Sequence, residues 1–384
     1  MKKTLMFIIM TIMVFNIYAD DFYLVKEKLP IEDNKLKNKN KYRDGGTYII
    51  IDKNNIKNST ASITKYKHYS KLNNLLSDCA DKSKPVININ PIDNKGVSHI
   101  FFNKMDVGKK GIYFNNNIEH SAKLIIAEIA GNEKTRLFGE LAILGSKAAI
   151  IIANPQGINC MSCSFSGTDR VTLLVGKTNI EQYEKIGDIK LIQSINKSMR
   201  FSGNINFKNI KDVEVLAYNN IINANTQIKA NRITYRTGSM PFFIEYDHIN
   251  NKNTHNNLAY FKPWLVDDFG YSKFKVTKGS QLTANEINIY VTGGSFRNEG
   301  EIDINSLFYF NVYKIRDISE VINRVTKDYQ FNNKVVSQDE ILKQARKNYG
   351  VVNRGNIKTD NFINGNFFTN EMINVGSGTI KIKQ

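Results

Sequence analysis

Beyond its first residues the sequence has no stretch of eighteen apolar positions, no block of five or six basic residues, and only three cysteines in 384 positions. The first absence leaves no later segment long enough to span a bilayer as a helix. The second removes the concentrated phosphate-binding face that nucleic acid would require, although the net charge is +17. Nucleic acid is therefore not an expected partner. The charge is spread as Lys among Asn and Ile, and such a surface favours contact with acidic glycans of a host cell or a bacterial surface. His68, His99, His120, His248 and His255 are scattered, with no pair at i and i+4 of the kind that binds metal on a helix. No Gly-x-Ser-x-Gly elbow and no phosphate loop occurs. Asp267-Asp268 is the one adjacent Asp pair outside Asp20-Asp21, and beside Trp264 it reads as a solvated turn rather than the clustered carboxylates of a polysaccharide lyase. No catalytic residue, metal site or cofactor is expected.

What is present starts with a secretory signal. Lys2 and Lys3 form its charged region, Leu5 to Ile17 its apolar region, and Asn16-Ile17-Tyr18-Ala19 an approximate cleavage site, so residues 1–19 direct the chain to the Sec machinery. In an oxidising compartment the spacing Cys160-Met161-Ser162-Cys163 closes a small disulfide loop; in a cytosol it would suggest a redox or zinc half-site, but no second pair completes a zinc site. Cys79 is left over as a small buried hydrophobe.

Residues 20–84 form a polar, variable leader with one β-like run at Tyr48 to Asp52. Tyr66, Tyr69, Leu72, Leu75, Leu76 and Cys79 recur at threes and fours, which predicts a helix over Lys65 to Ala80 able to close the end of a stacked core. From Pro85 short β runs follow one another: Val86 to Ile89, Ile100 to Phe102, Gly111 to Phe114, Lys123 to Ile129, Arg136 to Ile143, Ala148 to Ala153 and Arg170 to Val175. Asn, Gly, Asp and Ser punctuate them, as tight turns require. Ile221 to Tyr235 recurs in outline at Lys278 to Tyr290, and each copy reads as strand, turn, strand. Phe296 to Ile302, Val352 to Ile357 and Phe362 to Phe368 each set apolar residues around an Asn and Gly turn. A repeat of about twenty residues marks a solenoid, because one coil cannot bury its inward face alone. Recurrent Asn at the turns predicts side-chain ladders. Ser337-Gln338-Asp339-Glu340, followed by Ile341, Leu342, Ala345 and Tyr349, predicts a short helical insertion near 316–349. The fold class is all-β, a right-handed parallel β-helix of the pectin-lyase-like kind carrying that insertion.

Residues 96–176 resemble the two-partner secretion domain, also called the haemagglutination-activity domain, of filamentous haemagglutinins, secreted haemolysins and contact-dependent inhibition proteins. Gly96-Val97-Ser98-His99 with Phe102-Asn103 is similar to the family's opening strand. Ala149 to Ala153, the turn Asn154-Pro155-Gln156-Gly157-Ile158, Cys160, Cys163 and Arg170 to Gly176 resemble its strand, Asn-Pro-x-Gly-Ile turn, Cys-x-x-Cys loop and following strand. The Cys pair places the likeness on the haemolysin and contact-inhibition branch. Pro155 fixes its φ, Gly157 permits a positive one and Asn154 can bond its own turn, which ends a buried strand at a defined corner. The chain departs from the pattern at Ile100, where the family usually carries Asn, and at Met105-Asp106-Val107, where Phe-Asn-Val is usual. The resemblance implies a domain over 85–240 continued by β-helix repeats over 241–384. It further implies export to the cell surface or medium by an outer-membrane transporter with periplasmic modules. Residues 154–158 are then the expected transporter-recognition motif. The implied role is that of an adhesin or haemagglutinin-like surface protein, or alternatively the export module of a haemolysin or inhibition toxin.

Overall fold

The computed structural model describes residues 40–58, 60–65, 84–116, 120–179, 188–238, 241–245, 259–261, 272–292, 294–313, 351–364, 373–374 and 379–382. The signal peptide, the helix expected over Lys65 to Ala80, Cys79, the pair Asp267-Asp268 and the insertion near 316–349 lie outside the described residues.

One coil shows how the rest is made. Ala149–Ala153 runs along a first face, a turn at 154–157 leads to Ile158–Met161 on a second, and another bend leads to Ser164–Ser166 on a third. The chain then returns at Arg170–Leu174, which pairs in parallel with Ala149–Ala153 in the register Ile150 to Val171. Repetition builds a long thirteen-stranded sheet, an eight-stranded second sheet and a five-stranded third sheet. Right-handed crossovers between parallel strands are the rule for L-residues, and the solenoid is a right-handed parallel β-helix.

The core follows from registration. Ile125, Ile150, Val171, Val213, Ile233 and Ile287 occupy one inward column of the long sheet, each paired with the next. Beside it Phe201, Tyr235, Phe274 and Phe296 are all buried and in contact as rings, Tyr235 to Phe274 at 4.7 Å and Phe274 to Phe296 at 5.5 Å. The two sequence repeats lie directly upon each other, Gln227 to Gln281 and Ile233 to Ile287. The first copy is strand, turn, strand, since Ile221 and Ile222 close Asn219–Ile222 and a turn leads into Gln227–Thr237; the second, Lys278 to Tyr290, begins inside the corresponding turn and runs into Gln281–Thr292. The expected asparagine ladders are present: Asn285 donates to Asn231 at 2.8 Å, Asn305 to Asn285 at 3.2 Å, and Asn298 to Asn353 at 2.9 Å. The third tail motif differs, since its strand Asn361–Asn364 pairs with the long sheet, Phe362 in register with Phe308, and not with the Asn353 strand.

Tyr235 carries a cost inside this core. Its hydroxyl is buried without a hydrogen-bond partner, and burial pushes the phenol well above its ordinary range. A polar group stranded in this way forfeits about 1–3 kcal/mol of hydration. Tyr235→Phe should therefore leave the urea midpoint unchanged or raise it, by up to about 1 kcal/mol of stability; a clear loss would mean that the hydroxyl has a partner.

Three arrangements differ from the sequence reading. The run from Arg136 to Ile143 is divided into Thr135–Leu137 and Glu140–Gly145, because the chain turns a corner at Gly139, where a Cβ would lie 2.3 Å from the Gly108 carbonyl oxygen. β-propensity is blind to such a packed corner. At the start of the long sheet, the hairpin of Lys41–Asp44 and Thr47–Ile51 pairs antiparallel with Val97–Asp106 and occupies its edge. Finally, Gly176–Asn179, Asp188–Gln193, Pro241–Glu245 and Ala259–Phe261 form a separate antiparallel sheet. Thr178 of this sheet donates from its backbone and hydroxyl to Glu128, and Gln193 donates to the Arg236 carbonyl, so the sheet lies against the outer side of the long one. Leu124, Ile126, Ile151 and Leu174 are consequently buried although they point away from the solenoid core. Their strands are apolar on both faces and do not alternate.

Candidate recognition corner

Asn154 ends a long-sheet strand and holds the corner that follows. Its side-chain oxygen accepts from the Gln156 backbone N–H at 2.7 Å, and Gly157 N–H donates to the Asn154 carbonyl at 3.2 Å, which closes a tight turn over Asn154 to Gly157. Its amide donates to the Glu133 carbonyl and to Thr135 Oγ1, each at 2.9 Å, in the preceding coil. Its backbone N–H donates to Leu174 O in the next coil. One fully buried side chain thus ties its own turn to the rung before it, while its backbone reaches the rung after. Gly157 has φ of +119°, and a Cβ there would meet the Ser198 carbonyl at 3.0 Å, so this position is restricted to glycine by conformation and by space. Ile158 turns into the core and pairs with Thr135 and Met199. Pro155 and Gln156 are half-buried and are the part of the turn that meets solvent, with Gln156 accepting from Lys197 Nζ at 3.1 Å.

The next bend contains the disulfide between Cys160 and Cys163, with both residues buried and their Cα atoms 5.2 Å apart. Ser162, between them, takes a φ of +65° and lets the chain pass from Ile158–Met161 to Ser164–Ser166. Closing so short a loop is worth about 2 kcal/mol in the chain-entropy account. The Cys160→Ala, Cys163→Ala double variant should lose about that much stability in urea titration, and in the unfolded protein Cys160 and Cys163 should take up a thiol reagent only after a reductant has been added.

Gly96, Val97, Ser98 and His99 open Val97–Asp106, the strand with which the parallel part of the long sheet begins. Gly96, at φ of +81°, completes a turn begun by Asp93, whose carboxylate accepts from the N–H groups of Lys95 and Val97. Ser98 donates to the Asn90 carbonyl at 2.7 Å. His99 Nε2 lies 3.2 Å from Glu128, the carboxylate that Thr178 also binds, so this motif joins two coils to the outer sheet. The opening motif sits at the start of the strands and the Asn154 corner at their end, two rungs on. The structure does not bring them together. The family position occupied here by Asp106 has acquired charge: its carboxylate accepts from Arg136 N–H at 2.9 Å and pairs with the Arg136 guanidinium at 2.8 Å and with Lys104. Nothing local in the sequence marks Thr135, Glu128 or Thr178, because their partners lie a coil or more away, and Asp106 stands out there only as a departure from the family's pattern.

A further charged contact fastens the third sheet. Lys84 bonds Glu140 at 2.8 Å and lies over the Tyr113 ring. Burial alone would raise the Glu140 carboxyl, but hydrogen bonds from Lys84 and Ser166 and the Lys84 charge outweigh it and hold the group below its ordinary 4.5. A lowered acid stabilises the fold above the unfolded pKa and loses that contribution as pH falls through the folded one. Glu140→Gln should therefore flatten the decline of thermal stability below about pH 4.5; an unchanged acid limb would show that the pair contributes nothing. Among the described residues no group of three or more His, Cys, Asp or Glu is placed to hold a metal ion.

Residues 77–261 match the TPS secretion domain. The chain is 33% identical over 135 residues to the tRNA nuclease CdiA of Yersinia mollaretii, covering 30% of this chain and 5% of that protein. It is 28% identical over 196 residues to the hemolysin of Proteus mirabilis, covering 46% and 12% respectively. A crystal structure of a filamentous hemagglutinin secretion domain aligns with a TM-score of 0.44 at 19% identity, over 60% of this chain and 88% of that one. The chain thus spans 12% or less of the length of these two curated relatives.

Proposed function

We propose, from the match of residues 77–261 to the TPS secretion domain, that this chain is a secreted β-helix protein of that kind and that it leaves the cell through a dedicated outer-membrane transporter after Sec-dependent entry into the periplasm. The match over those residues carries the reading. The transporter's periplasmic modules would engage the chain before it coils, by strand addition: backbone groups pair with a sheet edge and alternate side chains fill pockets. Residues 154–158 and the Cys160 to Cys163 loop are proposed as the recognised segment. Once outside, each added coil buries apolar surface worth about 25 cal/mol per Å², which opposes return through the pore without any nucleotide. In its final location the protein is proposed to act as an adhesin-like surface protein, a reading supported by its dispersed positive charge. The relatives named as a nuclease and a hemolysin favour a second reading, in which this region serves to export an effector.

Co-expression with the transporter tests the export step. Pro155→Ala and Gln156→Ala alter the solvent-facing half of the turn and spare the Asn154 bonds, so both should fold normally yet appear in the medium at reduced yield. Wild-type yield for both, or wild-type export without the transporter, would overturn the proposal. Lysis of erythrocytes by the exported chain would favour the effector reading over the adhesin.

A further inference from the structure

The second sheet carries a feature that export does not use. Its inward positions are apolar or small and polar, as at Thr135, Asn220, Ser272 and Asn298, and its outward positions fall into register from coil to coil. One such row runs Arg136, Asn159, Arg200, Ile221, Lys275, Arg297, each the direct neighbour of the next. Four of these six positions are cationic. Rungs in a parallel sheet are about 4.8 Å apart, so Arg136, Arg200 and Lys275 repeat at about 10 Å and Arg297 follows one rung later. Lys273 in the adjoining outward row and Arg354 at the far end are exposed and extend the same sign. The acidic groups facing the row are Asp106, bound to Arg136, Glu133, whose charge also acts on Arg136, and Glu299, 3.7 Å from Lys275. Burial pushes the Arg297 guanidinium below its ordinary value, Glu299 opposes that shift, and Arg354 adds to it.

We propose that this row binds a linear acidic polysaccharide laid along the solenoid axis, its carboxylate or sulfate groups meeting successive cations. The inference rests on the surface-protein reading only in placing the ligand outside the cell. Three observations select the occupant. The row is one residue wide and continuous from rung to rung, which suits an extended polymer rather than the plane of a membrane, and it holds no exposed large apolar side chain for insertion among lipids: among the described residues these are Ile56 and Ile195, both elsewhere. It offers no aromatic platform on which bases would stack, so single-stranded nucleic acid is a poor fit. Its alternate-rung repeat is comparable with the length of a disaccharide unit, so a polymer with one acidic group per disaccharide meets a cation at each repeat. Arginine, with its planar fork, is suited to bidentate capture of carboxylate and sulfate.

The test uses the purified full chain and immobilised dextran sulfate. Wild type should be retained and released by salt, as expected of exposed charge contacts. Arg200→Gln with Lys275→Gln should weaken retention by roughly tenfold or more, and each single variant should give part of that loss. Lys229→Gln with Lys358→Gln removes the same charge from exposed positions on the long sheet and should bind as wild type does. Circular dichroism and thermal melting confirm that each variant is folded. The proposal is overturned if the control pair loses as much as the row pair, if the row pair binds normally, or if phosphatidylglycerol vesicles or single-stranded DNA bind at least as tightly. Since no transporter takes part, a failure here leaves the export reading standing, and a failure of export leaves this result intact.

Discussion

Replacing Asn154 by alanine is expected to destabilise the folded coil by about 3 kcal/mol, roughly a hundredfold in the folding equilibrium. The change strands the Thr135 hydroxyl, the Glu133 carbonyl and the Gln156 N–H at once, and the site is fully buried, so water cannot take the place of the lost amide. Asn154→Asp separates the two halves of the effect. It keeps an acceptor for Gln156 but turns an acceptor toward the Glu133 carbonyl and places a carboxylate where none is solvated, so at neutral pH it should be at least as harmful as alanine. Burial favours the protonated acid, which regains a donor. The folded pKa is then raised, and the Asp variant should recover stability as pH falls while the Ala variant does not. Urea titrations of the three proteins at two pH values read this directly. Equal midpoints for wild type and Asn154→Ala would remove the corner's role as a staple between coils. Export of Asn154→Ala is expected to fall with it, and the comparison with Pro155→Ala divides that loss between stability and recognition.

Phe274→Ala is expected to cost about 3–5 kcal/mol. The ring is fully buried between Tyr235 and Phe296. Its strand is hydrogen-bonded to a neighbour on each side, Asn219–Ile222 and Gly294–Asn298. Those ladders hold the rungs apart, so the walls of the cavity cannot close on it. A solenoid distributes the damage unevenly, because each coil contacts only its neighbours. Hydrogen exchange should show coils from Ser272 onward losing protection while Leu124–Ile129 and Ala149–Ala153 keep theirs. Uniform loss along the chain would show a single cooperative unit and would argue against stability that accumulates coil by coil during export.

Much of this architecture is visible in the residues because it is local. Asn154, Pro155 and Gly157 specify a bend through their own backbone preferences, and the bend is where they predict it. The Gln227 and Gln281 repeats announce their own stacking, since identical coils bury identical faces. The Cys160 and Cys163 spacing brings the sulfurs within reach whatever surrounds them. The antiparallel sheet over the outer face had a trace as well, in the unbroken apolar runs Leu124 to Ala127 and Ala149 to Ala153, which no strand with one wet face would carry.

By itself, then, the sequence determined that the chain coils and where one sharp corner falls. Both depend on residues close together, whose conformational preferences and apolar spacing act before any tertiary contact exists. Only the tertiary structure decided which rungs meet. The Asn154 amide reaching Thr135, the Asp106 pair with Arg136 and the cationic row from Arg136 to Arg297 unite residues tens of positions apart. Their register is set by stacking whole coils of unequal length, a sum over insertions that no local pattern contains.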